Sequence, residues 1–247
     1  MGGKLMKKDL REKDDAVSPV IALMLILAIL ATCLAVYTTT YVPGLKQQDE
    51  ITHSGDVKLT FERFASDIDN VIAQGKPAVY TEVLELGGGD VPLSPTKSSG
   101  TLEIEETILG TYTAGSDTGN LTGIRVTYLP SFTAWEKQGY RYENGTVWIL
   151  KDEKKTPAAL NRYSIQDGTD LENATLQRWY SAASLDVIPL FTVKENSTAV
   201  TGTSTAKLRL NATLDETETA NVQIILSDGT IRDYSAVRWL NIEVSVE

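Results

Sequence analysis

The chain has 247 residues, 42% of them hydrophobic, and its 23 basic and 33 acidic side chains give a net charge of −10. This acidic balance disfavours nucleic acid as a partner, because phosphate binding depends on clustered Lys and Arg. The chain has one cysteine, Cys33, and one histidine, His53. We therefore expect no disulfide framework, no metal site and no cofactor, and we expect His53 to be a solvated side chain rather than a zinc ligand.

The first predicted element is an apolar helix behind a short charged stretch. No residue in the segment 20–36 is charged, and the longer segment 16–42 can cross a hydrocarbon core of about 30 Å. Five basic residues precede the segment, whereas Lys46 is the one cation among the residues just after it. This asymmetry predicts a single-pass precursor with its N-terminus in the cytoplasm and the rest of the chain outside.

The boundary between the charged and apolar stretches has a distinct chemistry. Acidic Asp15 is followed by the small residue Ala16. The residues that then open the apolar helix are Val17, Ser18, Pro19, Val20 and Ile21. Pro19 falls in the first helical turn, where its missing N–H is no loss, and Ser18 before it can serve as a cap.

This boundary and the aliphatic helix behind it resemble the N-terminal domain of archaeal type IV pilins and pilin-like proteins, which carry a class III signal peptide. In that family a prepilin peptidase removes the leader on the cytoplasmic face, so the resemblance implies cleavage between Ala16 and Val17. Bacterial type IV pilins usually carry Glu at the fifth mature position, where this chain has Ile21. Archaeal relatives commonly lack that Glu. The resemblance covers residues 14–36 and implies export and assembly with other pilin subunits by a dedicated machinery.

A second helical half is predicted beyond the apolar segment. Pro43 and Gly44 predict a bend or interruption, since Pro lacks a backbone donor and Gly is a poor helix former. Apolar residues then recur at three- and four-residue spacing until Gln74 and Gly75, which predicts a helix packed on a globular domain. The predicted domains are a leader at 1–16, a membrane and filament-core helix at 17–74, and an extracellular head at 75–247.

The head is predicted to be rich in β-structure. Eight segments carry the β-branched and aromatic residues typical of strands: 78–86, 101–108, 121–129, 140–150, 185–193, 206–214, 221–226 and 239–246. Asn144-Gly145 and Asp228-Gly229 predict hairpin turns, because these pairs adopt positive φ readily. The expected fold is therefore α+β, with a long apolar helix kinked near Pro43 followed by an antiparallel, sandwich-like head.

Five Asn-x-Thr sequons lie on the predicted outer side, at Asn120, Asn144, Asn173, Asn196 and Asn211. They take up more than half of the asparagines, which favours N-glycosylation of an exported surface. Strand edges that are simply rich in threonine are the alternative explanation.

Catalytic and phosphate-binding patterns are missing from the sequence. The loop that begins at Gly87 is rich in glycine, but the segment after it has the pattern of a strand rather than of the helix that a phosphate site requires. No Gly-x-Ser-x-Gly nucleophile motif accompanies the single histidine. We therefore predict that the protein is not an enzyme.

Three hypotheses follow for the function. The favoured one is a structural pilin-like subunit of an extracellular filament, in which the chain left after leader removal carries 18 basic and 29 acidic residues. The resulting charge of −11 suits a soluble, mutually repelling filament surface. A minor pilin or a membrane-anchored adhesin is the second hypothesis, and an anchored enzyme or sensor is the third. For the helix alone, a permanent single-span anchor is the simpler alternative.

Overall fold

The structure is a computed structural model that describes residues 6–88, 91–92, 94, 96–158, 168–180, 187–196, 198–217 and 219–247. It describes their side chains as well, except those of residues 6–18, 168–173 and 219–220. The predicted cleavage site at Ala16 and Val17 and the predicted cap at Ser18 lie outside the described side chains.

A long helical rod opens the fold. Helix α1 (Met6–Val36) runs through a π-helical turn at Tyr37–Tyr41 into helix α2 (Val42–Gln74). The π-helical turn lies just before Pro43, and its closing hydrogen bond joins the N–H of Val42 to the carbonyl of Tyr37, five residues back. Pro43 has no N–H to continue the regular ladder. The disturbance predicted near Pro43 therefore takes the form of a widened turn, and the helix continues beyond it.

The second half of the rod ends where the sequence predicts. Gly75 adopts a left-handed conformation with φ of 58°, and its N–H donates to the carbonyl of Val71 at 2.9 Å. This is the geometry that favours glycine after a helix. Most of the apolar stripe predicted from Leu59 to Ile72 is confirmed, since these residues are buried: Phe61, Phe64, Ile68, Val71 and Ile72. Leu59 was expected in the stripe but is 50% exposed, and Val57, which was not predicted, is buried.

Eleven strands and one further helix follow. Their bounds are β1 (Ala78–Glu85), β2 (Ser99–Ala114), β3 (Asp117–Ser131), β4 (Gly139–Glu143), β5 (Thr146–Lys151), β6 (Lys154–Pro157), α3 (Gly168–Tyr180), β7 (Val187–Val193), β8 (Ala199–Gly202), β9 (Thr205–Leu214), β10 (Thr219–Leu226) and β11 (Ile231–Val246). The strands form one sheet in the order β1-β9-β11-β10-β2-β3-β4-β5-β6, with β8 beside β2 and β7 beside β11. All pairs are antiparallel except β7 with β11. The predicted α+β fold is confirmed.

Strand β11 joins two parts of this sheet. Its first half pairs with β10, and its second half pairs with β9 and β7. Strand β2 is similarly long and carries a bulge between Ile108 and Gly110. A side chain at Gly110 would place its Cβ 2.1 Å from the carbonyl oxygen of Ile225, so only glycine fits there. Long strands that change partners are compatible with the sandwich-like arrangement that the sequence predicts.

Both predicted hairpin turns are present. Asn144 and Gly145, with φ of 49° and 78°, join β4 to β5, and Gly229, with φ of 84°, lies in the turn between β10 and β11. Helix α3 was not predicted. It packs over the first turn, where a Cβ on Gly145 would lie 2.1 Å from Thr175 and 2.9 Å from Trp179.

Candidate functional site: an exposed apolar helix clamped to the head

The first half of the rod presents apolar side chains on every side. Pro19–Gln74 is one helix that is long and apolar enough to cross a membrane, and no residue of its most apolar 18-residue window is buried. Leu23, Met24 and Ile29 are each about 60% exposed (59%, 66% and 61%). The hydroxyl of Thr32 donates to the carbonyl of Ala28 at 2.7 Å, so this polar group is satisfied within the helix. Such a surface requires lipid or other apolar helices around it.

The second half of the rod is attached to the head by polar residues before the apolar stripe begins. Lys46, Glu50, His53 and Ser54 are all buried, although all four are polar or charged. They occupy one helical face, at four- and three-residue spacing in line with Val57. We call these four residues and their partners in the head the polar clamp.

Lys46 is the clamp residue nearest the exposed half. Its side chain is 4% exposed, and Nζ donates to the carbonyl and to the hydroxyl of Thr96 at 2.7 and 2.8 Å. Thr96 belongs to the long loop between β1 and β2. The buried ammonium group therefore ties this loop to the helix.

Glu50 is fully buried and receives hydrogen bonds from two loops of the head. The hydroxyl of Ser98 and the N–H of Thr133 donate to Oε1, the latter at 2.9 Å, and the N–H of Ala134 donates to Oε2 at 2.9 Å. Burial raises the pKa of this carboxyl, but the bonds from Ser98 and from the backbone of residues 133–135 outweigh it, so the pKa lies below its usual range. Glu50 is thus a buried anion held by backbone donors.

His53 corrects the sequence-based expectation. It is 7% exposed rather than solvated, and its Nε2 lies 3.0 Å from the hydroxyl of Tyr128. That hydroxyl donates its single proton to the carbonyl of Leu86 at 2.9 Å, so Nε2 of His53 is the donor to Tyr128. Burial lowers the pKa of His53, although the nearby carboxylates oppose this shift. The sequence around His53 is polar, but its face of the helix is covered by the head.

Ser54 completes the clamp on strand β4. Its hydroxyl lies 2.9 Å from that of Tyr140, which also accepts a hydrogen bond from Gln138 at 2.6 Å. The ring of Tyr140 packs against Phe61, with 6.3 Å between the ring centroids. The polar clamp therefore passes directly into the apolar contact between α2 and the sheet.

Glycines bring the β1–β2 loop against the helix. A Cβ on Gly87 would lie 2.3 Å from the carbonyl oxygen of Ser98, and one on Gly88 would lie 3.0 Å from the Cβ of His53. The close approach requires a residue without a side chain at position 87 and leaves little space for one at position 88. The loop that stands out in the sequence thus contacts the rod, and no group of three or more metal-ligating side chains occurs among the described residues.

The predicted glycosylation residues differ in exposure. Asn120 and Asn196 are exposed, and Asn211 is half-buried. Asn144 is also half-buried, and its Oδ1 is enclosed without a hydrogen-bond partner. The side chain of Asn173 lies outside those that the structure describes. The structure thus distinguishes two open sequons from two that are partly covered.

Sequence reasoning identified the apolar helix and missed the polar clamp. The spacing of Lys46, Glu50 and His53 has the same helical period as the apolar stripe that follows, and this is the signal that would have found them. Comparison of the chain with protein-family models, with curated proteins and with solved structures gives no match.

Proposed function

We propose that this protein is a structural, pilin-like subunit of an archaeal type IV pilus-like extracellular filament. After cleavage between Ala16 and Val17, the apolar helices of many copies pack together as the filament core and the β-rich heads form its outside. The observation that carries the proposal is the rod itself, with one half exposed and apolar and the other half fixed to a folded head.

Energetics support a helix that exchanges one apolar environment for another. Burying an apolar helix of this length is worth on the order of 20 kcal/mol at about 25 cal/mol per Å². Lipid satisfies the same surface before assembly, so the transfer from membrane to filament is nearly balanced. The proposal therefore includes assembly machinery that extracts the subunit, together with a prepilin peptidase that frees its N-terminus.

The polar clamp gives the proposed subunit a fixed geometry. Lys46 and Glu50 tie the rod to two loops, the first as a hydrogen-bond donor and the second as an acceptor. His53 ties it to β3. Packing of the exposed halves then orients every head in the same way. Within this proposal, Asn120 and Asn196 are the sequons with the most open side chains for an N-linked glycan.

Mass spectrometry and electron microscopy of the native surface fraction test the proposal. We expect filaments whose main subunit begins at Val17, and we expect Ala16→Trp to leave an uncut precursor in the membrane. An intact N-terminus at Met1, or cleavage after Thr32, would contradict the processing step. Labelling only at filament ends would support a minor pilin, and labelling only on the cell body would support a membrane-anchored adhesin.

A further inference from the structure

A basic groove lies on the head, away from the rod. It has a volume of about 530 Å³, and its lining includes the aliphatic side chains of Leu129 and Leu150. Five cations also line it, namely Lys137, Arg141, Lys151, Lys154 and Lys155. We refer to this feature as the basic groove.

Strand alternation places Gly139, Arg141, Leu150 and Lys155 on the face of the sheet opposite α2, and Lys151 and Lys154 close the β5–β6 hairpin at the rim of the groove. Tyr140 points toward the helix, where it contacts Ser54 and Phe61, so its neighbours Gly139 and Arg141 point to the other face. A Cβ on Gly139 would lie 3.2 Å from Leu129 and 3.7 Å from Leu150. The absence of a side chain at Gly139 therefore keeps the floor of the groove open.

Positive charge is concentrated here against the balance of the chain. Five of the 18 basic residues beyond residue 16 line the groove, although the chain as a whole is at −10. Lys151 and Lys154 are direct partners across the β5–β6 ladder, and like charges in such a pair are destabilising. The ammonium of Lys151 pairs with Glu136, however, and that of Lys155 pairs with Glu143 at 2.7 Å. An added anion would therefore be met mainly by Lys137, Arg141 and Lys154.

The turn beside these lysines is strained as well. Asp152 and Glu153 connect β5 to β6 with φ of 47° and 67°. Two consecutive left-handed residues are the geometry for which Asn-Gly is preferred, and side chains such as Asp and Glu adopt it at a cost. A strained turn thus forms one rim of the groove, and strained backbone is common at functional sites.

Protection of a sheet edge explains only part of the pattern. Strand β6 ends the strand order of the sheet, and Lys and Pro on such an edge prevent unwanted strand pairing. This accounts for Lys154 and Pro157. It does not account for Arg141, which lies two strands inside the edge, or for Lys137, which precedes β4.

We propose that the basic groove binds a linear acidic polysaccharide. Its carboxylate or sulfate groups pair with Lys137, Lys154 and Arg141, and its sugar rings rest on the aliphatic floor. Nucleic acid fits less well, because single strands stack their bases on aromatic side chains and none of the described residues that line the groove is aromatic. The proposal is independent of filament assembly, since the groove lies on the head.

The test uses the full chain in nanodiscs of zwitterionic lipid. The probes are immobilised polygalacturonate, which carries carboxylates, dextran sulfate, which carries sulfates, and neutral dextran. We expect binding to one or both acidic polymers that weakens with salt, and no binding to dextran. Lys137→Gln combined with Lys154→Gln should weaken binding by roughly tenfold, because each exposed ion pair contributes modestly.

A matched control separates the groove from general electrostatics. Lys76 and Lys207 are exposed cations on other parts of the head, and Lys76→Gln combined with Lys207→Gln makes the same change in net charge. This control should alter binding by less than about twofold. Equal losses in both double variants, or no binding of either acidic polymer, would overturn the proposal.

Two further arms complete the test. Asp152→Asn combined with Glu153→Gln removes two acidic groups from the rim, so binding should become severalfold tighter while the lysines remain. A single-stranded DNA of matched charge should bind more weakly than the acidic polymers. DNA binding that is tighter and equally dependent on Lys137 and Lys154 would replace the polysaccharide assignment with a nucleic-acid one.

Discussion

The two halves of the helical rod share a backbone and differ in their surroundings. In the segment 20–36 apolar side chains are exposed on every side, whereas from Val42 onward one face of α2 is buried at every turn. The apolar face of the second half is already buried against the head. The apolar surface of the first half can be buried only by lipid or by helices of other molecules.

The boundary between the halves preserves their alignment. The π-helical turn at Tyr37–Tyr41 lies there, and the hydroxyls of Thr38 and Thr39 donate to the carbonyls of Leu34 and Ala35 at 3.0 and 2.7 Å. The chain stays helical through the change of surroundings. Helical continuity therefore joins the exposed half directly to the docked half.

The largest expected effect is in the docked half. Phe61 is fully buried and packs on Tyr140, so Phe61→Ala should lower the free energy of unfolding of the head by about 3–5 kcal/mol. Leu59 lies on the same helix and is 50% exposed. Leu59→Ala is the control and should change stability by less than about 1 kcal/mol. Chemical denaturation followed by tryptophan fluorescence measures both, and equal losses would contradict the division of the rod.

A charge introduced into the exposed half should impair membrane insertion and leave the stability of the head unchanged. Leu27 is 57% exposed in the middle of the apolar segment, and Leu27→Asp should disfavour membrane insertion by about 3 kcal/mol. The stability of the head should not change, because Leu27 does not contact it. Leu27→Met is the matched control. Fractionation of membranes and counting of surface filaments give the readout, and normal filaments from Leu27→Asp would argue against helix packing in the core.

Replacing Glu50 in the polar clamp should affect the backbone N–H groups that donate to it. Glu50→Ala leaves the partly buried N–H groups of Thr133 and Ala134 without their acceptor, at a cost of about 1–2 kcal/mol. Hydrogen exchange at these two amides should accelerate, while exchange at Gly75 at the far end of α2 should change least. Glu50→Gln keeps one acceptor oxygen and should lie between Glu50→Ala and the wild type. Unchanged exchange at both amides in Glu50→Ala would show that the clamp does not hold this loop.

The parts of the fold that the sequence predicted are those with a local or periodic signal. Three features depend on neighbouring residues and are confirmed: the apolar stripe from Phe61 to Ile72, the helix end at Gly75 and the turn at Asn144-Gly145. Leu59, predicted in the stripe, is exposed instead. Helix α3 was missed although Leu176, Trp179 and Tyr180 are buried at three- and four-residue spacing. Among the described side chains this pattern covers little more than one turn, which is too short to stand out from the surrounding sequence.

The environment of His53 was mistaken for a different reason. Its ring packs against Tyr128 and Phe132, which are far along the chain, and no local pattern reports such contacts. The same holds for Glu50, whose donors come from residues 98 and 133–134. Buried polar residues on a helix become visible only when the periodicity of the whole face is compared with that of the apolar stripe.

The smallest expected effects concern the pH dependence of stability. Within the docked half of the rod, two groups of residues should give pH dependences of opposite sign. The pKa values of His53 and Glu50 are lowered in the fold. The stability from these groups is therefore present above their unfolded pKa values and is lost as the pH falls through their folded ones. Asp67 on α2 and Glu82 on β1 behave oppositely, because burial and, for Glu82, the neighbouring Asp67 raise their pKa values. Their contribution is present in acid and is lost as the pH rises.

Two variants separate these opposing contributions in pH titrations of the unfolding free energy. His53→Gln should flatten the loss of stability on acidification from pH 7 to below the unfolded pKa of about 6.5. Asp67→Asn removes one of two adjacent carboxylates, so it should stabilise the protein at neutral pH by a few tenths of a kcal/mol and lose this advantage in acid. Because Asp67 lies about four helical turns beyond His53 and is hydrogen-bonded to Glu82 on β1, each variant should leave the other slope intact. If both variants changed the same slope, the polar clamp and the contact between Asp67 and Glu82 would open as one unit.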